Sequence, residues 1–302
     1  MKLGIILPTI GAGVGAENLD AAAGMAERLG WSSVYATDHL MVPRGPEAEE
    51  YGWVLEATTA LTWVAARHES VRVGFSVIIP AMRDAPLLAK QLATIDHLTG
   101  GRLTVGVGAS ETHDLPEYEN LGKADRFSRR GAYLDETIAL WRHLWSGSQE
   151  PFEGEFHQLH DFTFDPLPPQ GAELPLWCGG RADRILRRAA VLCNGYHAAQ
   201  LNAAQVAERI PKLKAFADEA GRPMPTISVR VRVRLGAEPI EKYSLHGSPE
   251  RIIDEVVDFA RAGVDELVLV FREREPEELR AAIERFDSEV YAPSLARMEA
   301  RE

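Results

Sequence analysis

Val71-Arg72-Val73-Gly74-Phe75-Ser76-Val77-Ile78-Ile79-Pro80 is a β-branched run closed by a proline, and it reads as a strand. An amphipathic helix pattern from about Pro86 to Leu98 follows, Gly100-Gly101 break it, and Leu103 to Val107 forms a second strand-like run. Strand, helix, strand in that order is the repeating unit of a parallel sheet. The alternation extends in both directions. Upstream lie Leu3 to Leu7, a helix from about Asn18 to Leu29 that Gly30 can cap, the run Ser33 to Ala36, and a helix from about Leu55 to Arg67. Downstream a long polar loop leads to a helix from about Arg129 to Trp145. Leu176-Trp177-Cys178, a helix to about Leu192, Gly195 to Ala198, a helix from Ala203 to Ala220 and Ile227 to Leu235 come next. Ser248-Pro249-Glu250 then opens a helix with an N-cap serine and a proline at its first position, before the last strand, Glu266 to Phe271. Eight strands in this order predict an α/β fold closed as a (β/α)8 TIM barrel, which leaves no sheet edge. Residues 150–175 interrupt the rhythm. Glu150 to Phe164 alternates aromatic and polar residues like a short hairpin, and Pro166, Pro168, Pro169 and Pro175 then enforce extended chain, so an irregular insertion is expected inside one domain spanning 1–302.

The chain has 302 residues and a formal net charge of -12, which argues against a general binder of nucleic acid or anionic lipid. Its two cysteines, Cys178 and Cys193, are expected as buried reduced thiols rather than a disulfide framework. The start, Met1-Lys2-Leu3-Gly4, has a strand pattern, not that of a signal peptide, and no apolar stretch approaches a membrane span, so the expected location is cytoplasmic. The sequence shows no metal-ligand spacing, no nucleophile elbow and no nucleic-acid module, so no metal and no nucleic-acid partner are expected.

In such a barrel the chemistry sits at the C-terminal ends of the strands. Those ends offer Pro8-Thr9, then Asp38 and His39, then Ser76 to Ile79, then Ser110, Glu111 and Asp114, then Gly179-Gly180-Arg181, then His197 and Gln200. His39 can relay a proton near neutral pH, and a structural, hydrogen-bonded histidine is the alternative. Gly179-Gly180 expose backbone N–H groups at a helix start, and Arg181 adds a bidentate donor, as an anion site requires; a plain tight turn is the alternative. Glu111 follows Gly106-Val107-Gly108-Ala109-Ser110, small residues that let a flat ligand approach the backbone. Arg230, Arg232 and Arg234 share one strand face, fit either for a substrate anion or for a structural ion-pair layer. Trp141 and Trp145 fit the core. Gly11-Ala12-Gly13-Val14-Gly15-Ala16 matches a dinucleotide fingerprint, but Pro8-Thr9-Ile10 separate it from the strand, so it is expected to be a flexible loop.

Three segments carry a family resemblance: Gly30-Trp31-Ser32-Ser33-Val34-Tyr35-Ala36-Thr37-Asp38-His39-Leu40; Val71 through Gly108 with Leu88-Ala89-Lys90-Gln91-Leu92-Ala93-Thr94-Ile95-Asp96 and Gly100-Gly101-Arg102-Leu103; and Pro175-Leu176-Trp177-Cys178-Gly179-Gly180. The chain resembles the luciferase-like monooxygenase superfamily along almost its whole length and, within it, the coenzyme F420-dependent oxidoreductases. The resemblance implies a deazaflavin ring across the barrel mouth and a non-prolyl cis peptide at Ser76-Val77 behind it. It implies cofactor contacts at Asp38, Ser76, Val77, Ile79, Gly108 and Asp114, and a phosphate site at Gly179, Gly180, Arg181 and Ala182. His39 and Glu111 match catalytic acid/base residues of the sugar-phosphate dehydrogenases of this family. Ile79 stands where those enzymes carry a threonine, and their sugar-phosphate lysines have no counterpart, so glucose 6-phosphate is not the expected substrate. The expectation is hydride transfer between carbon 5 of F420 and a small organic substrate, by a homodimer. The rivals are an FMN-dependent monooxygenase served by a flavin reductase and a non-catalytic flavin-binding protein.

Overall fold

A computed structural model describes residues 1–300; the last two residues of the expected 1–302 domain, Arg301 and Glu302, lie outside the described residues. Eleven strands follow along the chain: β1 Lys2–Ile6, β2 Ser33–Ala36, β3 Arg72–Ile78, β4 Leu103–Val107, β5 Phe152–Glu153, β6 Gln158–Leu159, β7 Leu176–Gly179, β8 Gly195–Ala199, β9 Thr226–Leu235, β10 Ser244–Gly247 and β11 Glu266–Val270. The sheet runs β9-β11-β1-β2-β3-β4-β7-β8, and β8 pairs back onto β9, so eight parallel strands close a barrel with helices between them. The barrel expected from the alternation is therefore observed. Closure also removes the dinucleotide reading of the Gly11–Gly15 loop, because an open doubly wound sheet is absent among the described residues.

Local chemistry explains the element ends. Gly30 (φ +69°) follows the helix Ala16–Arg28, and its N–H bonds to the Glu27 carbonyl. Ser248 Oγ accepts from the N–H of Arg251 and caps the helix Pro249–Arg261. The helix expected from Leu55 begins at Ala57 instead, because the Glu56 carboxylate takes the N–H groups of Thr58 and Thr59. The helix expected over 203–220 is two, Ala203–Ala207 and Ile210–Glu219, since Pro211 lacks the N–H that a continuous helix would need there. The polar loop at 112–128 holds short helices, Leu115–Asn120 and Ala124–Phe127. Strand β10 is an addition that the sequence reading lacks: four residues, paired in parallel with the C-terminal half of β9.

The insertion at 150–175 contains the expected hairpin, β5 against β6. Its turn is fixed by one side chain, Glu136, whose carboxylate accepts the N–H groups of Glu155, Phe156 and His157 at 2.7–2.8 Å. The core lies between strands and helices. Trp141 and Trp145 are fully buried there, their indole N–H groups donating to the carbonyls of Ala85 and Ala89. Cys178 and Cys193 are buried free thiols. At the N-terminal ends of the strands Glu266 closes the barrel floor. Its buried carboxylate accepts from Ser32 Oγ (2.7 Å), Tyr35 Oη (2.9 Å) and Ser33 Oγ. Among the described residues no helix is long and apolar enough to cross a membrane.

Candidate active site at the barrel mouth

A cavity of about 780 Å³ opens at the C-terminal ends of the strands, and all the candidate residues expected to be catalytic or cofactor-binding line it. Strand β3 sets its back wall. The Ser76-Val77 peptide bond is cis, and the β3–β4 register shifts between Phe75 and Ile78, so the strand bulges there. Two glycines make room for the bulge. A Cβ on Gly108 would stand 2.6 Å from Val77 Cγ2, and one on Gly179 2.6 Å from Val77 Cγ1. The small residues after β4 were expected to admit a flat ligand; what they first admit is the Val77 side chain, which lines the cavity. Gly108→Ala is therefore expected to push Val77 into the cavity. Such overpacking costs about 1–3 kcal/mol. A double-mutant cycle with Val77→Ala on ligand affinity should show the second change relieving the first.

Behind the bulge a hydrogen-bonded thread crosses the barrel. Ser76 Oγ and Ser228 Oγ bracket the imidazole of His197 at 2.8 and 3.0 Å. Burial, reinforced by the charge of Arg230, pushes the His197 pKa down to about 3, so this ring is neutral. Arg230 Nη1 donates to the Ser76 carbonyl at 2.7 Å. Of the three alternating arginines, Arg230 and Arg232 line the cavity, whereas Arg234 Nε donates to the Glu238 carbonyl.

Asp38 and His39 separate as neighbours at a strand end should. The Asp38 carboxylate is fully enclosed. It accepts the N–H of Ile79 at 2.9 Å and pairs with Arg83, which also reaches Glu56 at 2.8 Å. Asp38 thus braces the chain just past the bulge, although it also borders the cavity. His39 turns the other way, its Nδ1 lying 2.9 Å from Glu117 Oε2. The other Glu117 oxygen accepts the N–H groups of Leu40 and Met41. Burial lowers the His39 pKa, but the Glu117 hydrogen bond and the charges of Glu117, Asp114 and Asp38 outweigh it, so the net shift is upward. Burial raises the Glu117 pKa, and the bonds from His39 and Leu40 more than reverse that. The carboxylate facing His39 is therefore Glu117, not Glu111. Glu111 stands on the rim with its side chain 68% exposed, and its N–H is held by Asp114 Oδ2 at 2.7 Å. Burial raises the Asp114 pKa despite that bond.

On the far side, β7 ends at Gly179. Gly180 adopts φ +140°, a region that favours glycine, and a Cβ there would meet Ile185 Cγ1 at 3.0 Å. Ala182 then caps the helix Asp183–Leu192, and Arg181 is exposed beside it. The Gly180 N–H, expected to be exposed, is spent on the His197 carbonyl at 3.2 Å, so what this turn offers an anion is the start of the helix, which no side chain caps, and the Arg181 guanidinium. Two further atoms point to a ligand. The hydroxyls of Thr9 and Thr37, at the ends of β1 and β2, are buried without a hydrogen-bond partner and belong to residues lining the cavity. The fit to a flat, phosphate-bearing redox cofactor is thus good: an apolar buttress at Val77, unspent polar groups on the wall, and an anion turn at one end. Among the described residues, no group of three or more His, Cys, Asp or Glu side chains could hold a metal ion.

A family model described as luciferase-like monooxygenase matches residues 1–239. The F420-dependent glucose-6-phosphate dehydrogenase of Kineococcus radiotolerans is 33% identical over 163 residues, which cover 51% of this chain and 44% of that protein. This chain spans about half the length of the curated relatives it matches. A solved F420-dependent secondary alcohol dehydrogenase, in complex with an F420-acetone adduct, superposes with a TM-score of 0.80 at 18% identity, covering 97% of this chain and 98% of that one. The oxygenating constituent of 3,6-diketocamphane monooxygenase from Pseudomonas putida, in complex with FMN, gives 0.77 at 14% identity, covering 96% and 98%. At such identities the two structures establish the fold.

Proposed function

The chain belongs to the luciferase-like monooxygenase family, and from that premise we propose that it is an F420-dependent oxidoreductase acting on a small organic substrate, in one barrel domain spanning 1–302. The observation that carries this reading is the His39–Glu117 pair standing in the same cavity as the Val77 buttress and the Gly180-Arg181 anion turn. The sequence similarity to F420-dependent dehydrogenases supports the deazaflavin over FMN.

Val77, with Ser76, Ile79 and Gly108 around it, would back the ring, and Gly179, Gly180, Arg181 and Ala182 would hold the phosphate. Asp38 and Asp114 would fix the loops around it. Bound there, the deazaflavin supplies a hydride donor or acceptor at its carbon 5. The protein's own work is to exclude water and move a proton. Because Nδ1 of His39 donates to Glu117, Nε2 is the nitrogen left for the substrate. A protonated His39 gives that proton to a substrate oxygen during reduction and takes it back during oxidation. Glu111, exposed at the rim, would serve as the second proton-handling group. The free, buried Cys178 and Cys193 support a reducing, cytoplasmic setting. Leu87 and Leu98, both exposed on the helix Ala85–Leu98 and spaced to share one face, would begin the apolar contact of a homodimer.

The test is fluorescence titration of the protein with F420 and with FMN. F420 is expected to bind at least about tenfold tighter, a difference of roughly 1.4 kcal/mol. Tight FMN binding without F420 binding would overturn the reading in favour of a flavin monooxygenase working with a reductase.

A further inference from the structure

The segment 40–55 borders the cavity beside His39 and is held at both ends. At its start the N–H groups of Leu40 and Met41 go to Glu117, and Asn120 Nδ2 donates to the Met41 carbonyl at 3.1 Å. At its end Ile10 and Val54 form an antiparallel bridge. The Gly11 N–H donates to the Trp53 carbonyl at 3.0 Å, and the Leu55 N–H to the Thr9 carbonyl at 2.9 Å. The short helix Pro46–Tyr51 lies between these anchors and brings Tyr51 against His39. The two ring centroids are 5.1 Å apart, with the planes tilted by 42°. Tilted ring pairs at this separation attract one another.

The wall around Tyr51 is apolar. Val42 and Pro43 precede it in the same loop, Ile10 is paired to the loop's end, and Val14 accepts the Trp53 indole N–H on its carbonyl at 3.3 Å. All five residues, Tyr51 included, line the main cavity. Charge of either sign bounds this stretch. The charges of Glu117, Asp114 and Asp38 reach His39, so an anionic substituent beside that ring meets repulsion. Arg274 stands next to Gly11, where a Cβ would lie 3.7 Å from its Nε, so a cationic substituent meets repulsion on that side. Nor are the other cations of the mouth free to receive an anion. Arg230 donates to the Ser76 carbonyl, and Arg232 and Arg272 already interact within the protein. An ion placed against this wall would also lose its hydration without a partner.

We infer that Tyr51 determines specificity, selecting a substrate whose reacting carbonyl carries an uncharged, apolar substituent such as an aryl group. This names a substrate class within the proposed oxidoreductase function and rests on that reading. A carbonyl oxygen that accepts the His39 proton sets its substituent beside His39, and Tyr51 is the ring already stacked there. Because the segment is tied down at both ends, the ring is held in place before the substrate arrives, so little ordering is required on binding.

The experiment loads the full chain with F420 and measures, by calorimetry, its affinity for a matched pair of probes: benzylacetone and the same ketone bearing a para-carboxylate. The neutral ketone should bind at least about tenfold tighter. Tyr51→Ala should weaken the neutral ketone about fivefold, in line with the loss of one aromatic contact, and change F420 affinity by less than about twofold. Tyr51→Phe should keep the wild-type affinity for the ketone within about twofold, because the ring and not the hydroxyl makes the contact. Binding of the carboxylated ketone as tightly as the neutral one would overturn the inference. So would a Tyr51→Ala protein that loses F420 and ketone affinity in equal measure, since the ring would then serve the general packing of the mouth. A chain that binds no F420 overturns the deazaflavin reading itself. A loaded chain that binds both ketones alike, or neither, overturns only the substrate class.

Discussion

Turnover should fall by about 10²–10⁴-fold when His39 is replaced by alanine, the usual contribution of a positioned proton donor. F420 affinity should change little, because the phosphate turn and Val77 lie elsewhere in the cavity. The measurement is steady-state kcat with reduced cofactor, on a substrate found by screening carbonyl and activated-alkene compounds, beside a fluorescence titration. Unchanged kcat in His39→Ala would remove the residue from the chemistry. Glu117→Gln separates position from charge. It keeps a hydrogen-bonding group but removes the charge that opposes the effect of burial on His39. With the carboxylate present, the imidazolium persists to a higher pH than an ordinary histidine; without it, burial dominates and the pKa falls. For reduction, which consumes the His39 proton, activity is lost as pH rises through that pKa. The alkaline limb of the kcat profile should therefore move to lower pH in Glu117→Gln. A merely structural role for Glu117 would lower activity at every pH and leave the limb in place.

The second large effect is on stability. Arg83 and Asp38 form an ion pair whose side chains are 12% and 0% exposed. Burial depresses the Arg83 pKa, yet Asp38 and Glu56 overcome that and hold it above the ordinary value. Arg83→Met leaves the enclosed Asp38 carboxylate with the Ile79 N–H as its one hydrogen-bond donor among the described residues. Losing one member of a buried pair typically costs about 3–5 kcal/mol. For a domain of 302 residues that corresponds to a Tm lowered by roughly 5–8 °C in thermal unfolding. Adding Asp38→Asn should recover part of the loss, since a neutral amide is far cheaper to bury. A Tm within a degree of wild type in Arg83→Met would show that Asp38 is not held as a buried charge.

The barrel was legible because its signals are local. Runs such as Val71–Ile79 and Ile227–Leu235, and the glycines after helices, depend on neighbours in sequence and say which element forms. Strand β10 escaped because a four-residue strand with one buried leucine has no period to detect. The site divides in the same way. Strand-end position alone led to His39, Ser76 and Gly179, and the family resemblance to the cis bond. Glu117 was invisible for a tertiary reason. It lies 78 residues from His39, in a segment that also offers Glu111, Asp114 and Glu119, and only the packing of the short helix Leu115–Asn120 selects it. Arg83 was missed likewise, since nothing near it in sequence says that its partner is an enclosed carboxylate 45 residues earlier. Gly108 and Gly179 were found as small residues, but their work is to clear space for Val77.

Glu266, tying Ser32, Ser33 and Tyr35 together at the closed end of the barrel, has a consequence for how this protein can diversify. Cohesion is anchored one strand length away from the reacting groups, so the two can be altered almost independently. The loop 272–275 could be exchanged for new substrate preferences while Glu117 and the Asp38–Arg83 pair stay in place. A library randomised at the mouth but sparing Asp38, Arg83 and Glu117 should retain a larger folded fraction than one randomised around Glu266.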